Sequence, residues 1–259
     1  MPELPDLQVF SLNLNKRFAG RRLQELTIVN KSKLKVPEKE FKTSLEGQKL
    51  EKVYREGKEL RFQFANGNIL GLHLMLNGNL YLFERTNEHK NTIIELLFQE
   101  DKGLAMADWQ GMAKATLNPQ EKTSPDALSD EVNYKFLKER LARSRTSIKN
   151  LLMDQKVIRG IGNAYADEIL WDARIHPLSV CNKIPDEKIK ELAKSIKSVL
   201  HDAEKQILKK KPDLISGEVR DFLFIHNAKK KQSPTGGAIK KTEVNKRITY
   251  YTNEQQLFD

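Results

Sequence analysis

The sequence predicts an α+β protein: an N-terminal helix plus an antiparallel β-sandwich, then a helical domain that ends in a small C-terminal β-hairpin. Three observations predict it. Apolar residues recur at helical spacing over residues 4 to 18, alternate in short stretches from about 21 to 117, and return to helical spacing over 131 to 208.

Each element has its own signal. Leu7, Phe10, Leu14 and Phe18 share one helical face, so the first helix buries that face and fixes the residues ahead of it. The strand-like stretches are Leu26-Thr27-Ile28-Val29, Leu60 to Phe64, Leu80 to Phe83 and Thr92 to Phe98, with Asn66-Gly67 and Asn77-Gly78 read as hairpin turns between them. Residues 118–130, rich in Pro, Ser, Asp and Lys, read as a linker. Helices are expected at 131 to 143, 145 to 153, 164 to 173 and 184 to 208, with Pro177 and Pro185 punctuating the last two. A short helix is expected after about residue 216, ahead of Lys229-Lys230-Lys231, a Ser-Pro-Thr-Gly-Gly turn and the strand-like Arg247-Ile248-Thr249-Tyr250-Tyr251. This sets domain bounds at 1–117, 118–130, 131–222 and 223–259.

A chain of 259 residues can bury one large core or two modest ones. Its net charge of +10 favours a polyanionic partner, nucleic acid first, because neutralised phosphates release their counterions. No apolar run approaches the ~20 residues that span a bilayer, and acidic residues stand where a leader carries basic ones, so no membrane partner and a cytoplasmic, nucleoid-associated location are expected. A single cysteine, Cys181, excludes an internal disulfide and a multi-cysteine zinc site; His73, His89, His176, His201 and His226 show no close pair at ligand spacing. Neither metal nor cofactor is expected, and the chain reads as a monomer.

Two motifs carry chemistry. Pro2 becomes the N-terminal residue once Met1 is removed, and an α-amino group titrates near ~8, so a useful fraction is unprotonated and nucleophilic at neutral pH. Glu3 supplies a carboxyl beside it, suited to protonating the ring oxygen of a sugar under attack. On residue type alone, Pro2 and Pro5 also suit a stiffened helix start. The second motif is Gly160-Ile161-Gly162-Asn163, which opens a helix and offers backbone N–H groups to a phosphate, downstream of Lys138, Arg140, Arg143, Arg145 and Lys149. A tight interhelical turn is the other reading of these glycines.

Together, Pro2-Glu3-Leu4-Pro5 and the run Asp154-Gln155 to Gly160-Ile161-Gly162-Asn163-Ala164-Tyr165-Ala166-Asp167-Glu168, closing in Ile175-His176-Pro177, resemble the formamidopyrimidine-DNA glycosylase and endonuclease VIII family along the whole chain. The resemblance implies a helix-two-turn-helix domain, a C-terminal finger and, as partner, damaged double-stranded DNA. It implies that Pro2 is the nucleophile, Glu3 the general acid, and Lys58, in Arg55-Glu56-Gly57-Lys58, a proton donor and phosphate contact. Lys149, Gly162, Asn163 and His89 are implied DNA contacts, and Leu76, in His73-Leu74-Met75-Leu76-Asn77-Gly78, the side chain that fills the void left by a flipped base.

The chain departs from the family pattern in three places. In the finger, Thr252 and Gln255 stand at cysteine positions, with Gln232 and Thr235 where the first pair falls, while Arg247 remains; this resembles a zincless finger, held by strand pairing and by packing of Tyr250, Tyr251 and Phe258. Arg247 is then implied to reach the phosphates flanking the lesion and to assist elimination. Residues 108 to 112 lack the arginine and phenylalanine that the family carries in a later β-loop. Arg220-Asp221-Phe222 runs almost directly into the finger without the long lid loop of purine-specific members, which implies a broad or ring-opened substrate set. The implied activity is bifunctional: glycosylase and AP lyase on oxidised bases. Three rivals stay open: a non-catalytic DNA-binding or damage-sensing protein on this scaffold, a helix-hairpin-helix glycosylase, and an RNA-binding protein sharing the helical module.

Overall fold

The computed structural model describes every residue except Lys33 and Lys35. The chain forms two compact units: Met1–Glu121 with Ile207–Glu218, and Lys122–Gln206 with Val219–Asp259.

The first unit is a β-sandwich with a helix on it. Helix α1 (Leu4–Phe18) begins at Glu3, whose backbone N–H donates to Asp6 Oδ2 at 2.9 Å; Pro5 in the first turn loses no helical bond. Strand β1 (Leu23–Ile28) follows, then α2 (Glu38–Leu45), β2 (Leu50–Glu56), β3 (Glu59–Phe64), β4 (Ile69–His73), β5 (Asn79–Glu84), β6 (Thr92–Phe98), β7 (Lys102–Ala107) and β8 (Lys114–Leu117). They make two four-stranded antiparallel sheets, ordered β2-β3-β4-β8 and β1-β6-β7-β5. Val53, Phe62, Phe64 and Leu70 of one sheet share a single buried cluster with Leu26, Ile94, Leu96 and Phe98 of the other, and α1 adds Leu7, Phe10, Leu14 and Phe18. Each apolar side chain withdrawn this fully contributes about 1.5–3 kcal/mol, which is why the alternating pattern is decisive here.

Asn66-Gly67 sits in the turn between β3 and β4, as expected. Asn77-Gly78 does not form a hairpin: β4 and β5 belong to different sheets, and the chain crosses between them here. The Gly78 N–H closes onto Leu74 O at 2.8 Å, and a Cβ at Gly78 would lie 2.3 Å from that oxygen, so the tight crossing requires glycine. Ile207–Glu218 returns to this unit, where Leu214 O accepts from Asn13 at 2.8 Å and Ser216 Oγ accepts from the Leu80 N–H at 2.9 Å.

The second unit holds α3 (Tyr134–Ala142), α4 (Ile148–Met153), α5 (Asn163–Asp172), most of α6 (Asp186–Lys210) and the hairpin β9 (Lys240–Val244) and β10 (Arg247–Tyr251). Asn133 and Ser147 cap α3 and α4 through their side chains. Ile189, Leu192, Ile196, Leu200 and Ala203 form the buried spine of α6. Asn245 and Lys246, at φ 50° and 59°, make the two-residue hairpin turn whose twist matches paired strands.

The short helix expected after residue 216 does not form. The backbone N–H groups of Phe224, Ile225 and His226 all donate to the Glu168 carboxylate, at 2.8, 2.9 and 2.7 Å, instead of to helical carbonyls. Burial, partly offset by those three donors, raises the Glu168 carboxyl above its ordinary range.

Candidate active site and nucleic-acid interface

In the first unit, α1 brings Pro2 and Glu3 to its N-terminal end, and both are buried. The α-amino group of Met1 forms an ion pair with Glu218. Removal of Met1 therefore exposes the Pro2 amine one residue from a carboxylate.

Lys58 and Gly57 form the two-residue turn joining β2 to β3, with Gly57 at φ 59°, a conformation that suits glycine. Two bonds fix this turn relative to α1: Arg55 Nε donates to Gln8 Oε1 at 3.0 Å, and Arg55 also donates to Gly57 O at 3.1 Å. Buried Arg61, paired with both Glu56 and Glu59, braces the strands on either side.

Leu76 lies in the sheet-crossing turn and is 61% exposed. The loop 108–112 is tied to that turn by Asn77 Nδ2 donating to Gln110 Oε1 at 2.6 Å, and Asp108 holds it by accepting from the Gln110, Met112 and Ala113 N–H groups at 2.8–2.9 Å. It exposes Trp109 and Met112 as well. Sequence reading noted what this loop lacks and passed over the tryptophan. His89 is exposed and stacks on Tyr81, ring centroids 3.9 Å apart, in a turn held by Asn87.

In the second unit the expected residues lie close together. Gly162 is the N-cap of α5, and Asn163 Nδ2 donates to Ile248 O at 3.0 Å, sewing the helical turn to the hairpin next to Arg247. Gln155 braces the same turn, donating to Met153 O and Ile161 O and accepting from the Gly160 N–H at 2.9 Å. Gly160 itself sits at φ 106°. Arg247 is exposed at the start of β10.

Lys149 is a correction. Read as a phosphate contact, it is fully buried, with Nζ 2.6 Å from Asp167 Oδ1 and donating to Thr249 Oγ1 at 2.7 Å. A buried ammonium is stable only when paired in this way, so its charge is spent inside the protein. Asp167 Oδ2 also accepts from the Tyr250 N–H at 2.9 Å and lies 2.7 Å from His226 Nδ1, making Asp167 the hub between α5 and the hairpin.

The finger is held by more than strands and aromatic packing. The Glu254 carboxylate accepts from Ser233 Oγ at 2.7 Å, Thr252 Oγ1 at 2.9 Å, Trp171 Nε1 at 3.2 Å and the Thr235 hydroxyl, and pairs with Arg174 at 3.2 Å. The Thr235 bond, then those from Ser233, Trp171 and Thr252, outweigh desolvation and hold its pKa at about 2. A Cβ at Gly237 would lie 2.2 Å from Glu254 Oε2, so that glycine makes room for the carboxylate. Gln255, buried beside it, accepts from the Thr252 N–H at 2.8 Å and donates to Ile175 O at 2.9 Å. Two residues at cysteine positions, Thr235 and Thr252, thus converge on a carboxylate. Among the described residues there is no cluster of three His, Cys, Asp or Glu placed to hold a metal, and no helix long and apolar enough to cross a membrane.

A helix capped at Glu3, a two-sheet sandwich, a Gly-x-Gly-Asn turn between helices and a hairpin finger, arranged in two compact units, define the class of fold. Residues 1–115 match the formamidopyrimidine-DNA glycosylase N-terminal domain, and residues 123–211 match the formamidopyrimidine-DNA glycosylase H2TH domain. The formamidopyrimidine-DNA glycosylase of Chloroflexus aurantiacus is 32% identical over 78% of this chain and 76% of its own. That of Pelotomaculum thermopropionicum is 28% identical over 97% of each. A solved complex of the Lactococcus lactis protein with DNA containing an oxidised pyrimidine is 26% identical, with a TM-score of 0.88 over 98% of this chain and 100% of that one. The chain belongs to the formamidopyrimidine-DNA glycosylase and endonuclease VIII family.

Proposed function

We propose that this protein is a bifunctional DNA glycosylase and AP lyase that removes oxidised or ring-opened bases from duplex DNA in base excision repair. The observation that carries the reading is Pro2: a secondary amine that becomes the chain terminus on loss of Met1, buried at the start of α1 with the Glu3 carboxyl adjacent. Related proteins in solved complexes hold DNA with an abasic site, an oxidised pyrimidine or a ring-opened purine, which supports damaged DNA as the substrate.

In this mechanism the Pro2 nitrogen lone pair attacks C1′ of the damaged nucleotide, Glu3 protonates the ring oxygen as the C1′–O4′ bond opens, and the base departs. The resulting iminium acidifies C2′. Loss of a C2′ proton expels the 3′ phosphate, a second elimination expels the 5′ phosphate, and hydrolysis frees Pro2. Lys58 donates a proton and holds a phosphate. The α5 N-terminus, through Gly162 and Asn163, and the finger through Arg247 bind phosphates. Leu76 enters the opened stack. Trp109 and Met112, exposed on the loop fastened to it, offer further apolar surface in place of the missing arginine and phenylalanine. No cofactor enters any step.

Borohydride trapping on a duplex with one abasic site tests this reading, comparing wild type with Pro2→Gly and with protein that retains Met1. A covalent adduct from wild type, lost when Met1 remains, is the expected result. Correctly processed protein that binds the duplex without forming an adduct would establish the non-catalytic, damage-sensing alternative.

A further inference from the structure

A secondary amine that bonds to C1′ becomes cationic while it still carries a hydrogen, and an iminium forms only after that hydrogen leaves. Glu3 is engaged at the ring oxygen. Asp6, the next acid on α1, is buried and accepts the Glu3 N–H at 2.9 Å. The carboxylate that faces the chain-terminal amine comes from the far end of the sequence: Glu218, 217 residues on, pairs with the α-amino group of Met1.

The segment that carries Glu218 is bolted to the first unit. Leu214 and Ile215 pack against the sandwich core, and Leu214 O accepts from Asn13 Nδ2 at 2.8 Å. Ser216 Oγ accepts from the Leu80 N–H at 2.9 Å and donates to Asn79 Oδ1 at 3.1 Å. Gly217, at φ 85°, supplies the left-handed residue between this anchor and Glu218. The Glu218 side chain stays 33% exposed, open enough to exchange a proton. Consecutive backbone nitrogens lie within about 4 Å of each other. Loss of Met1 therefore leaves the Glu218 carboxylate facing the Pro2 amine across the space of one residue, a gap spanned directly or by one water, as proton transfer requires.

We propose that Glu218 is a further catalytic residue, the base that takes the Pro2 N–H proton and returns it to the leaving group. The proposal rests on the reading of Pro2 as nucleophile. Once the N–C1′ bond has formed and the nitrogen is cationic, Glu218 accepts its proton, and the N–H electron pair becomes the second C–N bond. The bond from C1′ to the base breaks with its pair going to the base, which takes the proton from Glu218 and leaves neutral. Glu218 is a carboxylate again. On an abasic sugar the same proton leaves with the C1′ hydroxyl, as water. Before attack, the carboxylate orients the amine by pairing with its protonated form.

The test is single-turnover borohydride trapping on a duplex with one abasic site, comparing wild type with Glu218→Gln and Glu218→Asp. Each protein is trimmed with methionine aminopeptidase and its mass checked, so that Pro2 is the terminus in all three. Glu3, Asp6 and Lys58, the other titratable groups assigned to this site, are common to all. Rates are taken at about pH 6, where a carboxylate is ionised and most of an α-amine is protonated, and at about pH 9. Glu218→Gln is expected to trap about 10²-fold more slowly at the lower pH, with the gap narrowing at the higher pH as hydroxide replaces the carboxylate. Glu218→Asp should recover part of the rate, and so should added formate with Glu218→Gln. Melting temperature and anisotropy on the same duplex are expected to match wild type. An unchanged rate, or a loss that neither aspartate nor formate relieves, would overturn the assignment. So would faster trapping by Glu218→Gln at the lower pH, which would mean that Glu218 only holds a proton on the amine. Failure of the glycosylase reading looks different: wild type would form no adduct at either pH.

Discussion

The N-terminal site and the finger are held by opposite means. Pro2, Glu3 and Lys58 depend on local devices: a helix cap spanning three residues, a two-residue turn with glycine at φ 59°, and one bond from Arg55 to Gln8. The finger and the turn before α5 depend on partners far apart in sequence. Lys149 reaches Thr249, Asp167 reaches Tyr250, Asn163 reaches Ile248, and Glu254 gathers Ser233, Thr235 and Trp171. Side chains at the start of a helix need only a well-capped first turn to be placed. A hairpin of ten strand residues buries too little apolar surface to stand alone, so it borrows rigidity from polar networks.

The largest effect that would sharpen this contrast is at Glu3. Glu3→Gln should lower base release by about 10²–10⁴-fold while leaving DNA affinity near wild type, measured by single-turnover excision beside anisotropy. An equal loss of affinity would mean that Glu3 organises the site rather than serving as its acid. Next comes Lys149→Met, which strands a buried Asp167 charge and should cost about 3–5 kcal/mol, seen as a lower midpoint in urea unfolding of the second unit. A surface role for Lys149 would instead leave stability intact and weaken DNA binding alone.

Glu254→Ala should cost about 1–3 kcal/mol by leaving hydroxyl and indole donors without their acceptor. Acid offers the same probe in the unmodified chain. The Glu254 pKa of about 2 lies below the ordinary 4.5, so its stabilisation is complete above the higher value and is lost as pH falls toward the lower one. The Trp171 indole N–H resonance should therefore hold steady down from pH 4.5 and shift only near about pH 2 in wild type, where the folded-state carboxylate takes up its proton, and not in Glu254→Gln. The smallest effect is expected at Leu76→Ala: about 0.5 kcal/mol or less in stability, because the side chain is exposed, with a measurable drop in base release if it enters the DNA stack.

The same division decides what could be read from sequence. Helix α1 was legible because four apolar residues share a face, and the Gly162–Asn163 turn because its glycines mark it, whereas Lys58 was singled out only by the family resemblance. The sheet crossing at Asn77-Gly78 was not, since the same dipeptide serves a hairpin wherever both flanking strands lie in one sheet. Nor was the return of Ile207–Glu218 to the first unit, which follows from where α6 ends in space. Lys149 was misread for a physical reason: a lysine in a basic run looks solvated until its acid, 18 residues on in Asp167, is placed against it. Glu254 stood in plain view between Thr252 and Gln255, but only the fold shows four side-chain N–H and O–H donors converging on it.

The carboxylate knot in the finger also bears on survival under oxidative stress. Finger thiolates that hold a metal are themselves prey to the oxidants that damage bases. Here the corresponding positions are hydroxyls and amides, which that chemistry leaves untouched. The chain's single cysteine, Cys181, is buried, and desolvation pushes its thiol above the ordinary value, away from the reactive thiolate. At the four finger positions Gln232, Thr235, Thr252 and Gln255 there is thus no thiol for peroxide to oxidise.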